Sequence, residues 1–141
     1  MMNQEELAKT ICIEAHEGQF RKDGVTPYST HPIAVAESFN EAHVYHRIVG
    51  YLHDVVEDTH WTCEELINHG FTLEQVAAID ALTDREDEVY SDYIRRVSKN
   101  KIATHVKIAD INHNLSSKNL GKNKVAKYEL AKMYLYKVLN K

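Results

Sequence analysis

Cysteine, proline and glycine are scarce in this 141-residue chain, which has two, two and five of them. Cys12 and Cys63 stand alone with no CxxC pair, so neither a disulfide framework nor a thiolate zinc site is expected. So few turn formers, with hardly any alternating apolar and polar segments, argue against a sheet-rich fold. No apolar run approaches the ~20 residues that cross a bilayer, and the polar start MMNQEELAK lacks the form of a signal peptide. A cytoplasmic protein with no membrane partner is the expectation. Its length corresponds to one domain, residues 1–141, able to bury about 70% of its unfolded surface without a disulfide or metal to hold it.

Positive charge is also scarce over most of the chain. Residues 1–117 hold 10 Lys and Arg against 20 Asp and Glu, a net of −10, while residues 118–141 hold seven Lys against Glu129, a net of +6. An acidic body is a poor nucleic-acid binder, so no nucleic-acid partner is expected. The lysines of the tail fit the solvated face of a helix over about 123–140. Nine histidines are present, a rich supply of the side chain most used in metal sites and acid–base chemistry.

Apolar spacing reads as all-α, a compact bundle of about eight helices without repeats or low-complexity stretches. The first helix spans roughly Asn3 to Glu17, followed by a loop from Gln19 to His31. Pro32 falls in the first turn of the second helix. A third runs unbroken from Val44 through Val55 to Thr59-His60. Thr62–Glu65 and Thr72–Gln75 form capping boxes that open two more. After the acidic connector 84–90 come helices at 90–97 and 102–115. The last helix uses Val125, Tyr128, Ala131, Leu135 and Val138 as its buried face.

Ionisable residues interrupt the core pattern in Tyr51-Leu-His-Asp-Val-Val-Glu-Asp-Thr59. His53 and Glu57 are four apart, as are Asp54 and Asp58, so each pair shares a side of a helix. Charges on a core helix are costly unless paired or metal-bound, and no Lys or Arg lies between Arg47 and Arg85 to pair them. A second stripe joins Lys107, Asp110 and Asn114, and Lys107 is placed by it to face phosphates. A third element is His31, fixed by Pro32. His31, His53, Asp54 and Asp110 together offer two imidazoles and two carboxylates, whose charge balances a divalent cation. That donor set suits Mn²⁺, Fe²⁺, Zn²⁺ or Mg²⁺ in a hydrolytic role. Glu57 and Asp58 remain free to move protons for an attacking water.

The order His31…His53-Asp54…Asp110 resembles the H…HD…D signature of the HD-domain phosphohydrolases. Four neighbouring words narrow the likeness: Gly18-Gln-Phe-Arg-Lys22, Pro27-Tyr-Ser-Thr-His-Pro32, His53-Asp-Val-Val-Glu-Asp-Thr59, and Val106-Lys-Ile-Ala-Asp110 with Asn114-Leu115. From about Ala8 to Leu120 the chain is similar to the (p)ppGpp hydrolase domain of the RelA/SpoT family, above all its small stand-alone hydrolases, with no length left for a synthetase domain. The resemblance implies Mn²⁺ on His31, His53, Asp54 and Asp110, and water activation by Glu57 and Asp58. It also implies a nucleotide pocket lined by Arg21 and Lys22, with Asn114 and Ser117 as polar contacts and Leu120 packed on the base. The reaction implied is hydrolysis of ppGpp or pppGpp at the 3′-pyrophosphate to GDP or GTP.

Two positions depart from the family pattern, where Arg is frequent: Ile111 after Asp110, and Ser116 after Asn114-Leu115. Both remove a cation, and Lys118 is the nearest replacement. The alternative substrates are therefore another phosphorylated nucleotide, such as NADPH at its 2′-phosphate or a nucleoside monophosphate. A non-catalytic nucleotide-binding module is a further alternative, which the presence of Glu57 and Asp58 disfavours. Oligomeric state is not legible.

Overall fold

The computed structural model describes residues 2–117 and 119–141 and contains nine α-helices among them. They are α1 (Gln4–Ala15), α2 (Thr30–Glu37), α3 (Val44–Leu52), α4 (Val55–Asp58), α5 (Cys63–Asn68), α6 (Leu73–Leu82), α7 (Tyr90–Val97), α8 (Lys101–Leu115) and α9 (Lys122–Leu139). No strand occurs among the described residues, only an isolated bridge between Phe20 and Pro27. The all-α expectation holds. None of these helices is long and apolar enough to cross a membrane.

Side-chain caps start four of the nine helices. The Asn3 side chain accepts from the Glu6 amide at α1, and Asn100 does the same for Ala103 at α8. Both capping boxes form as read, Thr62 with Glu65 at α5 and Thr72 with Gln75 at α6. The ninth helix comes from a break where an unbroken third helix was expected. The Gly50 carbonyl, which would receive the Asp54 amide in a continuous helix, accepts the His53 Nδ1–H at 2.6 Å instead. His53 and Asp54 form the turn between α3 and α4.

The core gathers around α3. Ile48, Val49, Tyr51 and Leu52 are buried there with Ala8, Ile11 and Cys12 of α1, Val35 and Ala36 of α2, Ile79 of α6, and Val106 and Ile111 of α8. Cys12 is one of its small apolar fillers, and burial pushes its thiol pKa up to about 12. α9 buries less than expected: Ala131 and Leu135 reach the core, Tyr128 and Val138 are half-buried, and Val125 is exposed.

α2 and α3 meet nearly backbone to backbone. A Cβ built on Gly50 would lie 2.7 Å from Ala36 Cα and 3.0 Å from its nitrogen. No flexible side chain can yield there, so the helices would have to move apart. Overpacking of this kind costs about 1–3 kcal/mol, and the ~1 kcal/mol that alanine gains over glycine in helix propensity offsets only part of it. Gly50→Ala is expected to lower the urea unfolding midpoint with the m-value unchanged; an unaltered midpoint would show that the crossing can yield.

Candidate active site

The crossing of α2 and α3 sets His31 opposite His53, and α8 brings Asp110 against both. His31 Nε2 lies 2.7 Å from Asp110 Oδ1 and 3.9 Å from Asp54 Oδ2. His53 Nε2 lies 3.2 Å from Asp54 Oδ2 and 3.5 Å from Asp110 Oδ1. The four expected metal ligands thus converge, with His31, His53 and Asp110 buried. The turn between α3 and α4 is what lets neighbouring His53 and Asp54 face one point.

The donor set fits a divalent cation. His53 Nε2 is buried and has no hydrogen-bond partner, despite two carboxylate oxygens close by. Its Nδ1 donates to Gly50 O, so the lone pair of the neutral ring is on Nε2, directed at the carboxylates. His31 Nδ1 pairs with His113 Nδ1 at 2.7 Å, and a proton on the His31 nitrogen would free its Nε2 in the same way. Asp54 Oδ2 accepts the Tyr28 hydroxyl at 2.7 Å, and Asp110 Oδ2 accepts Lys107 Nζ at 2.8 Å. Tyr28 and His113 are supporting residues that the motif reading did not assign. His113 is three residues past Asp110 on the same stripe, and Tyr28 belongs to the word ending in His31-Pro32.

Burial and charge oppose each other throughout the cluster. Burial alone would lower the His53 pKa, but Asp54 and Asp110 outweigh it and hold it well above the usual imidazole value. Burial would likewise raise both carboxyls. His53 instead brings Asp54 down to about 2, and Lys107 with the two imidazoles holds Asp110 well below the carboxylate range. Lys107 stays charged because Asp110 outweighs the cost of burying it. A proton on His53, with Lys107 beside Asp110, puts positive charge where a cation would otherwise supply it.

Glu57 and Asp58 lie one turn beyond, and their carboxyl oxygens gather with that of Asp54 within 4.8 Å. Burial and the Asp54 charge raise both pKa values. Glu57 Oε1 accepts the Asp84 amide at 2.6 Å. Gln19 ties the end of this segment down, donating to the Asp58 carbonyl at 3.0 Å while its own Oε1 meets His16 Nδ1 at 2.8 Å.

A cleft of about 640 Å³ adjoins the cluster, with Tyr28, His113 and Asn114 on the side nearest the ligands. One wall is a hairpin-like loop. Arg21 N donates to Thr26 O and Tyr28 N to Gln19 O, while Asp23 accepts the amides of Val25 and Thr26 and Gly24 takes a φ of 73°. It presents Arg21 and Lys22, and the facing walls carry Asn114, Ser117 and Leu120, so five of the six expected substrate contacts share the cleft. Lys107 is not among its lining residues, being held on Asp110 with its Nζ 5.1 Å from the Tyr93 ring centroid. Tyr128 and Lys124 of α9 do line it, although the sequence had pointed to packing and a solvated face for that helix. Ile111 is fully buried in the core, so of the two departures only Ser116 borders the cleft. Lys118 lies outside the described residues.

No family model matches the chain. It is 36% identical over 118 residues to a guanosine-3′,5′-bis(diphosphate) 3′-pyrophosphohydrolase of Haemophilus influenzae, covering 74% of this chain and 17% of that one. It is 32% identical over 120 residues to the bifunctional (p)ppGpp synthase/hydrolase SpoT of Escherichia coli, covering 77% and 17%. The chain therefore spans about a sixth of the length of these relatives. Among solved structures, a metazoan ortholog of SpoT that hydrolyzes ppGpp superposes with a TM-score of 0.73 at 20% identity, over 99% of this chain and 86% of that one. The helical fold with its His/Asp cluster defines an HD-type domain. Within that class, the chain belongs to the (p)ppGpp hydrolase domains of the SpoT kind.

Lys107 gives a direct test of the charge balance. In EDTA, Lys107→Met should destabilise the protein by about 2–3 kcal/mol, the worth of a hydrogen bond to a charged group. Saturating Mn²⁺ should then raise its thermal midpoint more than that of the wild type, since an ion restores the missing charge. Equal Mn²⁺ shifts would mean that Asp110 and Lys107 lie outside the cation's field.

Proposed function

We propose that residues 1–141 act as one metal-dependent phosphohydrolase domain, which removes pyrophosphate from the 3′-position of ppGpp or pppGpp and leaves GDP or GTP. The observation that carries this reading is the convergence of His31, His53, Asp54 and Asp110 beside a cleft that holds Arg21, Lys22 and Lys124. The names of the relatives support the substrate class.

His31, His53, Asp54 and Asp110 would hold the cation, with Mn²⁺ the first choice and Fe²⁺, Zn²⁺ or Mg²⁺ open to the same donors. When bound, a divalent ion supplies charge against the phosphoryl oxygens and acidifies a water for attack. Glu57 or Asp58, both raised in pKa, takes the proton from the attacking water. The water oxygen bonds to the phosphorus attached to the 3′-oxygen, the P–O3′ bond breaks, and O3′ takes up the proton that the carboxyl group received from the water. Arg21 and Lys22 draw in the polyanion and orient its phosphates, Asn114 and Ser117 contact the nucleotide, and Leu120 packs against the base. The partner of this site is a small nucleotide, with neither nucleic acid nor membrane involved.

Incubation with Mn²⁺ and ppGpp should release pyrophosphate and GDP in equal amounts, with no release in EDTA or from His53→Ala. Glu57→Gln and Asp58→Asn should each lower kcat by about 10²- to 10⁴-fold while nucleotide still binds. Metal-loaded protein that leaves ppGpp intact but releases phosphate from NADPH or a nucleoside monophosphate would move the substrate to that nucleotide and point to Ser116 as the place of change.

A further inference from the structure

The acidic connector between α6 and α7, residues 83–89, has no part in the reaction as described, yet its backbone touches the acid–base pair. Asp84 N–H donates to Glu57 Oε1 at 2.6 Å. The carbonyl of the same peptide unit, Thr83 O, accepts Arg96 Nη2 at 2.9 Å. A trans peptide is planar and points its C=O and N–H in opposite directions. Arg96 therefore grips one end of a rigid plate whose other end holds Glu57.

Arg96 also staples the rest of the connector. Its Nη1 donates to Ala81 O at 3.0 Å, before the connector, while Nη2 and Nε reach the two Glu88 carboxylate oxygens beyond it at 2.8 and 3.0 Å. Between these anchors the chain turns tightly, with Glu88 N on Arg85 O and Asp87 at a φ of 68°. The guanidinium lies 5.5 Å from the ring centroid of Tyr93, whose hydroxyl donates to Leu82 O at 2.6 Å. Arg85 also reaches Thr83 O, at 3.0 Å, but from an exposed side chain. A planar fork can serve the carbonyls and the carboxylate together, which an ammonium cannot.

We infer that Arg96 is a positioning residue for Glu57, acting through the Thr83–Asp84 peptide, with Glu88 as its counter-anchor. The inference rests on the hydrolase reading, in which Glu57 takes the proton from the attacking water. Oε1 is fixed by the Asp84 amide at 2.6 Å, and holding one oxygen of a planar carboxyl group restricts where the other can lie. A general base displaced by about 1 Å loses on the order of 10²-fold in rate while ground-state binding persists.

The test compares Arg96→Lys, Arg96→Ala and Glu88→Gln, each below its own unfolding midpoint, with Mn²⁺ and ppGpp. Each should lower kcat by roughly ten- to a hundredfold, with KM within about twofold. Hydrogen exchange at the Asp84 amide should quicken in all three while the α3 amides stay protected. In a Glu57→Gln background, Arg96→Lys should cause little further loss of kcat, because the group it positions is already disabled. An Asp84 amide as slow as in the wild type, or a rise in KM at constant kcat, would overturn the positioning role. So would an equal loss of kcat in the Glu57→Gln background, the mark of a merely structural contact. If Arg96→Ala fails to fold, Arg96→Lys and Glu88→Gln still decide. A wild-type protein without turnover on ppGpp would overturn the hydrolase reading instead, and the exchange rates would still report whether Arg96 holds the plate.

Discussion

Everything at the candidate active site depends on how closely α2 approaches α3. Ala36 and Gly50 let the two helices touch through their backbones, and that contact sets the spacing between His31 on one and His53 at the end of the other. The same glycine contributes twice. Its missing side chain permits the crossing, and its carbonyl holds the His53 ring by Nδ1. Packing and ring orientation thus meet at one residue, so the four expected ligands inherit the rigidity of a closely packed part of the core.

A buried group of like charges needs compensation, and the protein divides the task. Lys107 answers Asp110 from within its own helix, Tyr28 answers Asp54 from the cleft loop, and the two imidazoles face both carboxylates. The cations of the cleft, Arg21, Lys22 and Lys124, are kept elsewhere, on the loop before α2 and at the start of α9. On the proposed reading, an overall acidic protein would bind a highly charged nucleotide because the attraction is local and acts inside a cleft rather than across the whole surface.

Helix type and most helix starts were legible because they depend on short-range chemistry: capping boxes, apolar spacing and a proline in the first turn. The convergence of His31, His53, Asp54 and Asp110 was legible because charges on an apolar stripe demand a partner. The break at His53-Asp54 was not, since it turns on one imidazole competing with a backbone amide for Gly50 O, and helical periodicity runs straight through it. Lys107 read as a phosphate contact because spacing places it on a stripe but does not say which neighbour takes its charge. Tyr128 and Lys124 were missed for a related reason: a helix near the end of the chain reads as a solvated face until its fold-back over the cleft is known. Ile111 shows the converse, a departure from the family pattern that faces the core and is not among the residues lining the cleft.

The cleft walls come from three separate places: the hairpin-like loop, the end of α8 and the first turns of α9. α9 is anchored farther along, at Ala131 and Leu135, so the turns that carry Lys124 have little core of their own. A highly charged nucleotide lying between Arg21, Lys22 and Lys124 would act as the cross-link that joins these walls. On the proposed reaction, cleaving pyrophosphate from the nucleotide divides that charge between two smaller anions, neither of which spans the walls as the intact substrate does. Turnover would then loosen its own clamp, and product departure would need no separate opening device.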